Sequence, residues 1–406
     1  MRRDFWCLFQ GQLTSQLGTQ AFQVMALYYL ASRTGTPGAG AAYLALGLIP
    51  PVLLGPWLAT WATRWRPRSV LVACDLLCAA LTLPMIAALA AGAPRVAVVE
   101  ALLATTALMA TVNALMMPSV HAAIVRLVEP AALPRANSFM VVTQQLAAVI
   151  GQGLGGVLYA FAGPVALCAL TCAGFAGSAA WASRMRDPAV VDAVDVAAVR
   201  LPAFSLLKTH AAFRRLALVS ALFNAFYAPW LVLLPFHLAQ AGPLAAPAFG
   251  AALAAYGCGN IAGAFAMRRL MRHAGAALLG ATLMFQAAGL CLLGAVHGLP
   301  AICAVLALLG AGIGVANTQS MTRAQRLVPM AMVAQATAVI RSTVQLATPL
   351  GFALVALAKT WLDAAPGTVY QACGVLLALA LAPHLRTLAA DGRQLEIPRR
   401  LEIATP

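Results

Sequence analysis

Charge is scarce in this chain of 406 residues: only 9% are Asp, Glu, Lys or Arg, and the acids number 11. A soluble domain carries roughly a quarter charged residues, so the composition excludes an ordinary soluble enzyme or binding module. No polar stretch is long enough to form a sizeable soluble domain. The patterns G-x-x-x-x-G-K-[ST], H-E-x-x-H and G-x-S-x-G do not occur, which removes the residues for ATP hydrolysis and for membrane protease or esterase chemistry. The nine cysteines all lie in apolar stretches. Cys74/Cys78 and Cys168/Cys172 share helix faces at i,i+4, but they lack the convergent donors of a four-ligand metal site and read as small packing residues. The six histidines are scattered near span ends and loops, with no metal spacing among them. Neither a metal nor a cofactor is expected.

What the chain does have is apolar length. Hydrophobic residues make up 62% and the mean hydropathy is +0.86. Runs of about 20 apolar residues, each long enough to cross a bilayer, recur between short Arg- or Gly/Pro-bearing breaks. They predict twelve spans, near 5–32, 40–63, 69–91, 97–120, 137–162, 164–183, 216–239, 247–267, 275–296, 299–321, 334–357 and 367–385. The formal charge of +15 follows from orientation. With the N-terminus inside, all 26 Lys and Arg fall in cytoplasmic segments except Arg33, Arg95, Arg341 and Lys359. That is the positive-inside bias, and it argues against a nucleic-acid partner. Arg2 and Arg3 read as the start of an uncleaved anchor.

The spans divide in two. A break at 187–213 holds Asp187, Pro188, Asp192, Asp195 and Pro202, then FSLLKTHAAFRRL, which reads as a cytoplasmic linker with a short amphipathic surface helix. It separates an N-terminal six-helix bundle (1–186) from a C-terminal one (214–390), with a cytoplasmic tail at 391–406. A shift of 200 residues aligns Arg126-Leu127-Val128 with Arg326-Leu327-Val328, and TQQLA at 143–147 with TVQLA at 343–347. Eleven of the 29 positions 126–154 are identical in their counterparts. The expected fold is therefore an all-α membrane protein of twelve transmembrane helices in two pseudo-symmetric six-helix bundles. Parallel six-span repeats of this kind are a transporter architecture.

These residues resemble the major facilitator superfamily, and more narrowly its drug and siderophore exporters of the enterobactin-exporter and macrolide-efflux type. FWCLFQGQLTSQLGTQAFQVMALYYL (5–30) is similar to that family's first helix. GPWLATWATRWRPRSVLVACDLL (55–77) resembles its second helix, following loop and third helix, and LVEPAALPRANSFMVVTQQLAAVIGQGLGG (127–156) its fourth loop and fifth helix. Four positions depart from the pattern, the first being Ala59 in place of the loop signature's glycine. Thr63 replaces the loop aspartate while Arg64, Arg66 and Arg68 remain; Thr19 replaces the acid after Gly18; and Gln152 replaces the proline of the fifth-helix antiporter motif, whose Gly151, Gly155 and Gly156 are kept. The resemblance implies a monomeric, proton-coupled exporter in a bacterial cytoplasmic (inner) membrane, with both termini in the cytoplasm.

Candidate site residues begin in the first span. On an ideal helix Gln12, Gln16, Thr19, Gln20 and Gln23 lie within about 100° of one another. Amides facing lipid would go unpaired at several kcal/mol each, so the stripe faces protein or a wet cavity. The resemblance, in which this helix lines the cavity, favours substrate contact over interhelical glue. It also groups Asn113, Asn224, Tyr227, Trp230, Asn317 and Gln319 around the same cavity, where amides and aromatics suit a polar organic molecule.

Four charged or glycine features remain open. Asp75, about 10 Å inside the third span, is read either as an ion-pair partner of the loop arginines or as a proton carrier. Glu100 pairs with Arg95 at the interface or carries a proton. Arg341, inside the eleventh span, snorkels, meets an anionic substrate group or pairs with an acid. The resemblance implies that the fifth and eighth helices meet between the halves, so the glycine rows Gly151, Gly155, Gly156 and Gly257, Gly259, Gly263 suit a rocking contact there, or static packing.

The expected function is export of a small organic molecule, a siderophore or drug-like compound, by alternating access around a central site, with protons as coupling ion. Lysophospholipid transport and a non-transporting membrane sensor or scaffold are the alternatives.

Overall fold

The computed structural model describes residues 3–62, 65–129, 132–186, 207–208, 210–274, 277–327, 333–362 and 364–394. The linker segment 187–206, Thr63, Arg64 and the tail beyond 394 lie outside the described residues. Among those described there is no strand. The helices are α1 (Arg3–Thr34), α2 (Pro37–Ala62), α3 (Pro67–Ala90), α4 (Arg95–Leu127), α5 (Leu133–Ser183), α6 (Ala211–Tyr227), α7 (Trp230–His237), α8 (Ala245–Ala274), α9 (Leu278–Ala295), α10 (Leu299–Arg326), α11 (Val333–Leu362), α12 (Pro366–Leu381) and α13 (Leu385–Gln394).

Among the described residues, ten segments are long and apolar enough to cross a membrane. One of them, within α5, bends at Gly163, whose φ of 73° is a left-handed turn that only glycine adopts at little cost. Pro164 follows and supplies no backbone N–H to carry the helix through. The two arms of α5 therefore act as two spans, meeting where the sequence places the break between the fifth and sixth. The helix α1 has the length of a span but is made less apolar by its amides, and with it the described residues hold twelve spans. The seventh span differs from expectation. It is one span-length segment, Ala211–His237, but kinked: its helix divides into α6 and α7 at Ala228 and Pro229.

The helices group into two compact units. The first comprises Met1–Val196 with Leu238–Ala254, and the second Ala197–His237 with Ala255–Pro406. In the first, α1 packs along both arms of α5, α3 lies on the second arm, and α2 pairs with α4. Phe5, Leu8, Leu71, Met116 and Ile124 form its principal apolar cluster. In the second, α9 pairs with α12 and α6 with α11, while α13 crosses the boundary expected at 390 and docks beside α6 and α9.

Small residues set these contacts. A Cβ on Gly151 would come within 2.9 Å of the Leu17 carbonyl of α1, and one on its repeat counterpart Gly351 would meet the Ala225 carbonyl of α6. The same close approach thus recurs inside each unit, at positions the 200-residue repeat relates.

Candidate functional site

In the first unit the amide stripe of α1 is only partly buried. Gln12 is buried, and Gln16, Thr19, Gln20 and Gln23 are half-buried. Thr19 donates its hydroxyl to the Ser15 carbonyl one turn back, at 2.9 Å. Gln20 accepts at Oε1 from the Nε2 of Gln152 on α5, at 2.8 Å. The glutamine standing at the family's proline position therefore has a defined partner within the stripe, which the sequence did not reveal. Gln16 and Gln23 have no hydrogen bond among the described residues. Asn113, half-buried on α4, donates to the Met109 carbonyl of its own helix at 3.0 Å.

Asp75 is 1% exposed. Its Oδ2 accepts from Ser178 Oγ at 2.7 Å, and its Oδ1 has no hydrogen bond among the described residues. Arg68, which the ion-pair reading assigns to it, instead donates to the Ser183 carbonyl at 2.6 Å, capping the last turn of α5. The reason is reach: Ser178 on the second arm of α5 lies directly across from Asp75, while Arg68 sits two turns nearer the helix start. Arg64 lies outside the described residues. Arg95 does not turn to Glu100 either; its guanidinium takes the Arg33 carbonyl at 2.6 Å, and Glu100 is exposed on α4.

The glycine rows also resolve differently from expectation. Gly151 and Gly155 are occupied by α1, at Leu17 and Ala21. Gly156 meets Ala246 and Gly250 at the start of α8, so that part of the expected contact is present. Gly259 and Gly263 face Ala307 and Ala311 of α10, and Gly310 and Gly314 face Tyr256 and Asn260 in return. The second row is thus an α8–α10 seam. A glycine row declares that a backbone must approach closely, but not which one.

In the second unit Asn224, Tyr227 and Trp230 cluster around the break between α6 and α7. Asn224 is half-buried and donates to the Ser220 carbonyl at 2.8 Å. Tyr227 stacks on Phe223 with ring centroids 4.8 Å apart, and Trp230 leans on Tyr256 at 4.8 Å. The Trp230 carbonyl accepts from the Tyr370 hydroxyl at 3.2 Å, which anchors the start of α7 to α12. The Tyr227 hydroxyl lies near Tyr256 and Gln286 without reaching hydrogen-bonding geometry. Gln286 is fully buried on α9 and donates to the Leu309 carbonyl at 3.0 Å. Tyr256 and Gln286 are polar members of this cluster that sequence reading missed. Their signal, single polar residues in apolar helices, was present but weak.

The remaining candidates are on α10 and α11. Asn317 is exposed on α10 and Gln319 is buried two residues on. Arg341 is exposed, two residues inside the apolar stretch Val339–Ala358 of α11, and has no ion pair among the described residues.

Comparison with known proteins follows the architecture. A bacterial homologue of the iron transporter ferroportin, in an inward-facing state, superposes with a TM-score of 0.73 over 95% of this chain and 98% of its own, at 17% identity. A bacterial homologue of the human lysosomal transporter Spinster gives 0.72 over 97% of each chain, at 14% identity. The nucleoside transporter NupG gives 0.76 over 97% of this chain and 99% of its own, at 13% identity. At such identities the likeness is one of fold. No curated protein sequence matches the chain. The sequence profile of the Major Facilitator Superfamily matches residues 8–391, nearly the whole length, and the chain belongs to that superfamily of multi-pass membrane transporters.

Proposed function

We propose that this protein exports a small polar or amphiphilic organic molecule, of the siderophore or drug-like class, across a bacterial cytoplasmic membrane by proton-driven alternating access, as a monomer with both termini in the cytoplasm. The observation that carries the reading is the interruption of the seventh span at Ala228 and Pro229, flanked by Asn224, Tyr227 and Trp230. Broken membrane helices place unpaired backbone groups and polar side chains at substrate sites, and an irregular backbone is tolerated at membrane depth only inside protein or beside a wet cavity. The half-buried amides of α1 supply hydrogen-bonding capacity of the same neutral kind. Arg341 suits an anionic substrate group, since guanidinium binds carboxylate through paired hydrogen bonds. Asp75 and Glu100 are the acids proposed for coupling, and Gly156, against the start of α8, the contact that lets helices move against one another.

The test has two arms. A deletion strain grown in iron-poor medium is expected to lose a secreted chelator, or else to keep it and gain sensitivity to drug-like compounds. In vesicles, export is expected to accelerate when a proton gradient is imposed. Flux of labelled lysolipid with neither phenotype would replace the reading with lipid transport, and no flux of any kind would leave only a sensor or scaffold.

A further inference from the structure

Two histidines sixty residues apart in sequence converge at one end of the second unit. His237 is the last residue of α7, half-buried. His297 is exposed and immediately precedes Gly298, whose φ of 83° turns the chain into α10. Their rings are 6.3 Å apart between centroids and within 20° of parallel. The Nε2 of His237 lies 3.3 Å from the Val296 carbonyl oxygen, and the ring of Tyr370 stands edge-on to His237 at 5.5 Å, fixing its orientation. The chain direction places this cluster at the far end of α6 and α7 from Arg215, hence away from the docked C-terminal helix.

We infer that His237, His297 and the Val296 carbonyl form a binding site for one divalent transition-metal ion of the zinc, nickel or cobalt class. The donor separation fits once the Nε2 proton, which now bridges His237 to the Val296 carbonyl, moves to Nδ1 and frees the Nε2 lone pair for the ion. An ion about 2.1 Å from each of two donors that stand 3.3 Å apart subtends an angle of roughly 100°, close to tetrahedral. Two imidazoles on one tetrahedral ion would hold their ring centroids about 5.3 Å apart, so His297, whose ring is now stacked against that of His237, must swing inward by about 1 Å and turn so that a ring nitrogen rather than a ring face meets the ion. Its exposure leaves it free to do so. Val296 and His297 are consecutive, so they chelate from one short turn, and His237 brings the third donor from another helix. Water completes the shell. Imidazole with a neutral oxygen favours the borderline metals over magnesium or calcium.

The consequence is mechanical. A bound ion ties the end of α7 to the turn between α9 and α10, and α7 is the arm that carries Trp230 beyond the helix break. An ion here restrains the motion of that arm, so the site is one of metal inhibition. Metal binding itself does not depend on the identity of the exported molecule.

Tag-free protein in detergent, with its cysteines alkylated, is titrated with Co2+ and followed by calorimetry and visible absorption. The expected result is one ion per chain in a tetrahedral, thiolate-free spectrum. Affinity should fall at least about 10-fold in His297→Ala, whose exposed side chain contributes little to folding. His237→Asn should weaken binding likewise. Equal affinity in wild type and His297→Ala, or a spectrum unchanged by either substitution, overturns the site.

Discussion

If the stripe on α1 lines a hydrated path, its glutamines must divide into two groups that respond oppositely to mutation. Gln20 is bonded to Gln152 at 2.8 Å. Hydrogen bonds between membrane helices are worth about 0.6 kcal/mol on average and up to about 1.7, because the unfolded chain in a membrane also finds partners. The coupling energy from a cycle of Gln20→Leu, Gln152→Leu and the double variant should therefore be about 0.6 kcal/mol, roughly a threefold change in the folded-to-unfolded ratio. Gln16 has no such bond among the described residues, so Gln16→Leu should leave stability within about 0.5 kcal/mol of wild type. Export per folded molecule should nevertheless fall, because an amide that touches substrate is replaced by an apolar group. Stability is read by denaturant titration in detergent, and export by uptake into inverted vesicles. The reasoning fails if Gln16→Leu destabilises as much as Gln20→Leu while export stays intact, for the stripe would then be glue throughout.

Two further perturbations test the packing. A Cβ on Gly259 would collide with the Ala307 carbonyl, whereas one on Gly47 would meet nothing within 4 Å. Gly259→Ala should therefore destabilise the second unit by about 1–3 kcal/mol, and Gly47→Ala should be neutral or stabilise by up to about 1 kcal/mol; thermal melts that fail to separate the two refute the α8–α10 seam. The Arg215–Asp391 pair uses both guanidinium Nε, at 3.0 Å, and a second nitrogen, and Arg323 adds a bond to the Leu388 carbonyl at 2.8 Å. Since Arg215 is about a third exposed, Asp391→Asn should cost no more than about 1 kcal/mol, less at high salt. It should still free α13 for limited proteolysis, and unchanged protection would show that Leu388 and its surroundings hold the helix alone.

The sequence made the spans legible because each depends on local composition. Apolar length, arginine placement and the pair Gly163-Pro164 are all read within a few residues. Pro229 was equally visible, yet the break it makes was missed, because apolar residues continue on both sides and hydropathy does not register a lost N–H. Partnerships were the hidden part. Ser178 stands 103 residues from Asp75 and Gln152 132 residues from Gln20, and no spacing rule joins them. Arg68 looked like the partner of Asp75 because it was near in sequence, while the carboxylate is in fact reached by a hydroxyl from another helix.

The helix α1 shows how these two kinds of information combine. Its amides occupy one face. Gly11, Thr14 and Gly18 occupy another, about 140° round the helix. On that second face, a Cβ at Gly18 would come within 3.0 Å of Thr171 on the second arm of α5, and one at Gly174 within 2.8 Å of the Thr14 carbonyl. The Thr171 hydroxyl donates to the Gly18 carbonyl at 3.0 Å. Backbone-to-backbone packing at this distance fixes the rotation of α1 about its own axis, because a turn of even one residue would drive a side chain into α5. The glycine face therefore sets where the glutamines point. A wet stripe on a helix free to rotate would turn toward its nearest protein partners and become glue. Held by Gly11 and Gly18, Gln16 and Gln23 stay half-exposed and without a hydrogen bond among the described residues. Under the proposed function that rigidity is what would keep those two amides available to a substrate, although the amide pattern alone says only that they must avoid lipid.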